Sequence, residues 1–94
     1  MSTLTELYEE IKRKAREIYT QLSILGEEDL KVKLNELANL IEEYLKMRKV
    51  EKDIVYAFTP WGSIPVYGPS VVEALRKGKI TPEVMVVLEI LAGV

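Results

Sequence analysis

Apolar residues recur every three or four positions through the first half of the chain, which is the spacing of one face of an α-helix. Two runs alternate between steps of four and three, as helices do when they pack lengthwise on each other in a coiled coil. Only a few residues around Gly26 separate the runs, so the pattern predicts an antiparallel helical hairpin over residues 4–47, with Gly26 ending the first helix in a left-handed conformation. The repeating positions are Leu4, Tyr8, Ile11, Ala15, Ile18, Leu22 and Leu25, then Leu30, Leu34, Leu37, Ile41 and Tyr44.

The ends of these helices carry local signals. Thr3 and Glu6 have the spacing of a capping box at the start of the first helix. The second helix has further apolar residues beside its repeat, so it is expected to pack on the C-terminal half or on another chain as well. Those residues are Ala38, Leu40, Leu45 and Met47.

The period changes to two after Asp53, which is typical of a β-strand. Ile54, Tyr56 and Phe58 alternate with their neighbours, the stretch 60–62 has turn chemistry, and a shorter apolar run follows to Tyr67. This predicts a β-hairpin over residues 54–67, in which Pro65 makes the second strand either an edge or only partly formed. A lone hairpin is only marginally stable, so it must lie against the helices or pair with a second copy.

Two short helices are predicted over residues 70–92. Ser70 and Glu73 form a second capping box, Gly78 ends the first helix, and Thr81 with Pro82 begins the last. From Val84 to Leu91 the last helix is apolar except for Glu89, so it must be buried nearly all round. The chain is therefore expected to be a single mainly α, α+β domain over residues 1–94.

Composition narrows the possible chemistry. The 94 residues carry a net charge of −2 and contain neither cysteine nor histidine. This excludes disulfides and thiolate or imidazole metal sites, and it gives no overall basic footprint for nucleic acid. No apolar run is long enough to span a membrane, and the expected location is cytoplasmic. Abundant Lys and Glu with few amides are common in hyperthermophile proteins.

No catalytic site, cofactor or metal is predicted. The paired carboxylates at 9–10, 27–28 and 42–43 are adjacent on helices, so they point about 100° apart and do not converge. A helix-turn-helix over residues 71–91 would have to offer polar side chains to bases, and its second helix offers valine, methionine and leucine. Core packing is favoured instead.

Several groups are candidates for binding. Arg76, Lys77 and Lys79 precede a helix N-terminus and are possible anion or nucleic-acid contacts. Trp61, the only tryptophan, sits at the hairpin tip, where it is either a binding anchor or a lid on the helices. Tyr56 and Tyr67 are expected to line the same surface as Trp61.

The last helix also predicts association. One flank of the second helix can cover one face of it. Unless the β-hairpin covers the rest, an apolar face remains of the kind that marks an interface. We therefore expect a homodimer, or a subunit of a hetero-complex, with this helix in the contact. The interface candidates are Val84, Val87, Ile90 and Leu91.

The function that these patterns favour is a small non-enzymatic accessory or adaptor subunit that binds other protein chains. The alternative is a nucleic-acid-associated factor, accessory to DNA or RNA machinery, that uses a local basic face. An enzyme working through Glu and Tyr alone is the least favoured.

Overall fold

The computed structural model describes residues 3–60 and 62–93. Its elements are α1 (Leu4–Gln21), α2 (Glu27–Arg48), β1 (Val55–Thr59), β2 (Gly62–Tyr67), α3 (Pro69–Arg76) and α4 (Pro82–Ala92). This order confirms the predicted mainly helical α+β fold, with a helical hairpin, a β-hairpin and two short helices. No helix among the described residues has the length and apolar character needed to cross a bilayer.

The centre of the helical hairpin follows the predicted seam. Ile11, Ile18, Leu34, Leu37 and Ile41 are all fully buried. The seam fails at its start, where Leu4 and Tyr8 are partly exposed and Leu7 is buried in their place. Leu7 lies one turn before Ile11 on the same face, so the buried stripe of α1 is offset at its first turn.

The hairpin turn differs from the prediction. Gly26 has φ −72° and ψ 164°, so it is the N-cap of α2 and not a left-handed end of α1. α1 ends earlier, at Gln21, whose carbonyl accepts hydrogen bonds from the N–H groups of Ile24 and Leu25. A left-handed residue lies instead at the other end of α2, where Lys49 has φ 57° and caps the helix.

The last helix is covered by the chain itself. α4 packs mainly on α1 and also contacts β2 and α3, while α2 packs on α3. The exposed fractions of Val84, Val87 and Leu91 are 1%, 3% and 4%, so placing them at an open surface was wrong. The prediction considered α2 and the β-hairpin as covers, whereas α1, β2 and α3 share the circumference of α4. Ile90 alone of the four candidates remains exposed.

The cap of α3 also differs from the prediction. Ser70 does not form a capping box with Glu73, because α3 begins at Pro69 with Gly68 as its N-cap. The Asp53 carboxylate takes this role from 17 residues away. It accepts the Ser70 N–H at 3.1 Å and the Ser70 hydroxyl at 2.7 Å. The side chains of Thr3 and Thr81 cap α1 and α4 as predicted.

Candidate protein-docking surface

An apolar surface lies along β1 and the residue before it. We call it the β1 surface, and its residues are Ile54, Val55, Tyr56 and Phe58. The side chain of Phe58 is 91% exposed, and the other three are between 42% and 52% exposed. An aromatic residue within a strand is normally covered by other side chains. Because Phe58 is not, this surface is the main apolar exposure around the hairpin.

The register of the hairpin explains the exposure. Phe58 pairs with Ser63, and Tyr56 pairs with Pro65. Opposite residues in an antiparallel pair share a face, so these four residues lie on the outer face of the sheet. The inner face carries Ile64 and Val66, which are buried, and β2 is the strand that contacts α3 and α4. Phe58 therefore contributes little to the core.

The main chain of β1 has an open edge as well. In an antiparallel ladder, pairs that exchange two N–H···O=C bonds alternate with pairs that exchange none. Pro65 has no N–H, so the pair Tyr56–Pro65 is of the second kind, and Phe58–Ser63 follows it two residues on. The N–H and C=O groups of Tyr56 and Phe58 therefore point away from β2. In the described part of the chain the sheet has two strands, so β1 borders no other strand there.

Tyr67 does not belong to this surface, although the sequence placed it there with Tyr56. Its ring packs on Tyr44 with centroids 5.9 Å apart, and Tyr44 in turn lies 6.3 Å from Tyr8. The Tyr67 hydroxyl is buried and has no hydrogen-bond partner in the described chain. Burial raises the pKa of Tyr67 well above its usual value, so the group is a neutral phenol at physiological pH.

Tyr67→Phe is expected to stabilise the protein. A buried hydroxyl without a partner costs about 1–3 kcal/mol of desolvation, and phenylalanine keeps the ring contacts while removing it. Urea unfolding of both proteins measures the difference. Tyr44→Phe is the matched control, because its hydroxyl accepts a hydrogen bond from Arg48 and its loss should bring no gain. A lower midpoint for Tyr67→Phe than for wild type would contradict the burial argument.

The remaining candidates stand as follows. Trp61 lies outside the described residues, so its role as a binding anchor or as a lid on the helices stays a prediction. Arg76 forms an ion pair with Glu42 at 3.2 Å, which occupies one of its guanidinium nitrogens. Lys77 and Lys79 are exposed on either side of Gly78. The three basic residues therefore remain surface groups, one of them already compensated by a carboxylate.

One concave site lies between α2 and α3, with a volume of about 510 Å³. Its floor is apolar and its rim carries both signs of charge. The hydrogen bond from Arg76 lowers the pKa of the Glu42 carboxyl on this rim, and Lys46 adds to the effect. A general acid requires the opposite shift, so this geometry adds no support for acid–base catalysis. The lining residues are Glu42, Leu45, Lys46, Val50, Pro69, Val72, Glu73 and Arg76.

Comparison with known proteins identifies no relative: no family model, no curated protein and no solved structure matches the chain.

The sequence indicated Tyr56 but missed Ile54, Val55 and Phe58. The alternation of large and small residues from Tyr56 to Thr59 was visible, and it separates the two faces of the strand. It did not indicate which face was buried, because aromatic residues are equally common on a core face.

Proposed function

We propose that this protein is a non-enzymatic accessory or adaptor subunit that binds other protein chains through the β1 surface. The observation that supports the proposal is the 91% exposure of Phe58, together with the exposure of Ile54, Val55 and Tyr56 earlier in the same stretch. Exposed aromatic residues that form a contiguous patch mark interaction sites, and single scattered ones do not.

The form of the surface favours an extended partner. An open strand edge offers main-chain hydrogen bonds, and side chains on its outer face supply specificity, as in recognition by strand addition. Tyr56 and Phe58 project from the same face two residues apart, so both are available to one bound segment.

A nucleic-acid-associated function receives less support from the surface charges. Half of the cations of α1 and α2 form ion pairs with carboxylates, and the hydrogen bond from Lys33 lowers the pKa of Glu17. Each such pair reduces the net charge available for phosphate contacts. The ion pairs are Arg13–Glu10, Lys14–Glu36, Lys33–Glu17, Lys46–Glu42 and Arg76–Glu42.

Phe58→Ser tests the proposal. Proteins that co-purify with the wild-type chain from its source cell are identified, and the purified partner is titrated against each variant. A central aromatic contact is worth about 2 kcal/mol or more, so Phe58→Ser is expected to weaken binding by roughly 30-fold. The urea midpoint should stay close to wild type, because so exposed a ring contributes little to folding.

Ile24→Ser is the matched control. Ile24 is 78% exposed in the turn between α1 and α2, so the substitution also removes an exposed apolar side chain. It is expected to leave the affinity within about twofold of wild type. Equal affinities for Phe58→Ser and wild type would show that the partner docks elsewhere.

A further inference from the structure

We infer that a second copy of this chain pairs antiparallel with β1, so that two hairpins join into one four-stranded sheet. The outer face of that sheet carries Tyr56 and Phe58 from both copies. The inference rests on the proposed function, since it names the first chain that the β1 surface binds.

The two edges of the hairpin differ in whether a further strand can pair with them, and only the edge of β1 is open to pairing. Open strand edges are templates for another strand, and natural proteins block them with proline or charge. The edge of β2 carries Pro65 at a position whose missing N–H faces outward. The edge of β1 carries neither device, because residues 54–60 include no charged residue and no proline before Pro60.

The shape of β1 fixes the register of the pairing. The ladder is irregular between Val55 and Tyr56, and the Ile54 N–H turns inward to the Tyr67 carbonyl at 3.0 Å. The main-chain N–H and C=O groups that point outward from β1 are therefore those of Tyr56 and Phe58. In a two-fold dimer these groups all form hydrogen bonds when Tyr56 lies opposite Phe58 of the second copy. Each such pair then exchanges two hydrogen bonds.

Side chains and charges fit this register. The Tyr56 ring of one copy lies beside the Phe58 ring of the other, and aromatic cross-strand pairs stabilise sheets. In this register residues 54–60 of the two copies lie opposite each other, and none of them is charged. No like charges face each other, so an identical strand is an acceptable partner.

The area predicts a weak dimer. Aromatic side chains bury about 150–250 Å² each when fully covered, so two per copy contribute at most roughly 1,000 Å². Stable complexes bury about 1,200–2,000 Å². We therefore expect reversible association with a dissociation constant on the order of 10⁻⁵ to 10⁻⁴ M.

Sedimentation velocity of the pure chain, from about 5 to 500 µM, tests the inference. Wild type is expected to shift from monomer to dimer across this range. The double variant Tyr56→Lys with Phe58→Lys, and its Glu counterpart, should each stay monomeric, and an equimolar mixture of the two should dimerise again. Ile24→Lys is the control and should dimerise as wild type does.

Two results would overturn the inference: a wild-type chain that stays monomeric at the highest concentration, or Lys variants that dimerise unchanged. Hydrogen exchange gives an independent reading. The amides of Tyr56 and Phe58 should exchange more slowly at high concentration, whereas that of Ser63, on the opposite edge, should not. Concentration-independent exchange at both β1 amides would show that the strands do not pair.

These outcomes are separable from those for the proposed function. A monomeric chain whose Phe58→Ser variant loses a different protein partner overturns the homodimer and leaves the adaptor function standing. A dimer that binds no other chain supports the pairing and removes the adaptor function.

Discussion

Gly68→Ala is expected to lower the free energy of unfolding by about 3–5 kcal/mol. Gly68 has φ 144°, a conformation that costs other residues about 1–3 kcal/mol. An added Cβ would lie 2.5 Å from the Cα of Asp53 and would also overlap the carboxylate of that residue. Displacing Asp53 would remove the cap of α3, worth about 1 kcal/mol more. Urea unfolding followed by circular dichroism measures the loss.

Two variants separate the causes. Gly26→Ala should change stability by less than about 1 kcal/mol, because its φ is −72° and no atom lies within 4 Å of the added Cβ. Asp53→Ala alone should cost only the cap. If Gly68→Ala proved as mild as Gly26→Ala, the close approach of Gly68 to Asp53 would be ruled out.

Ile18→Ala is expected to cost about 2–5 kcal/mol. Ile18 is fully buried in the core shared by the four helices and β2. Truncation there removes apolar contacts and leaves a cavity that a densely packed core fills only in part. Leu37→Ala, from the facing helix, should cost a similar amount.

Ile24→Ala provides the comparison, since it makes the same chemical change six residues later at a side chain that is 78% exposed. Its free energy of unfolding, measured in urea, should remain within about 0.5 kcal/mol of wild type. Equal midpoints for Ile18→Ala and wild type would mean that the helical seam is assigned to the wrong face of α1.

The helical hairpin was predictable because its determinants are local. The seam from Ile11 to Ile41 follows from periodicity, and a short connection leaves antiparallel packing as the only arrangement. The caps at Thr3 and Thr81 were equally local, since each hydroxyl accepts from an N–H three residues on. The cap of α3 was not, because Asp53 is remote in sequence and Ser70 offered a plausible substitute.

The candidate site was harder to predict than the fold. The sequence placed the unsatisfied apolar surface on the last helix, where Val84, Val87 and Leu91 are in fact buried. Hydrophobicity required that helix to be covered, and leaving α1 out as a cover led to the wrong surface. The excess apolar surface lies instead on β1, around Phe58.

The sequence by itself determined which segments form helices and strands, where most of them begin, and which metal and disulfide chemistry is excluded. These properties depend on residue type and on neighbours within a few positions. Only the tertiary structure decided that α1 covers α4, that Asp53 caps α3, and that the face of β1 bearing Tyr56 and Phe58 points to solvent. Each of these depends on which elements, distant in sequence, pack against one another. An amphipathic or wholly apolar segment specifies that it must be covered, but not which element covers it.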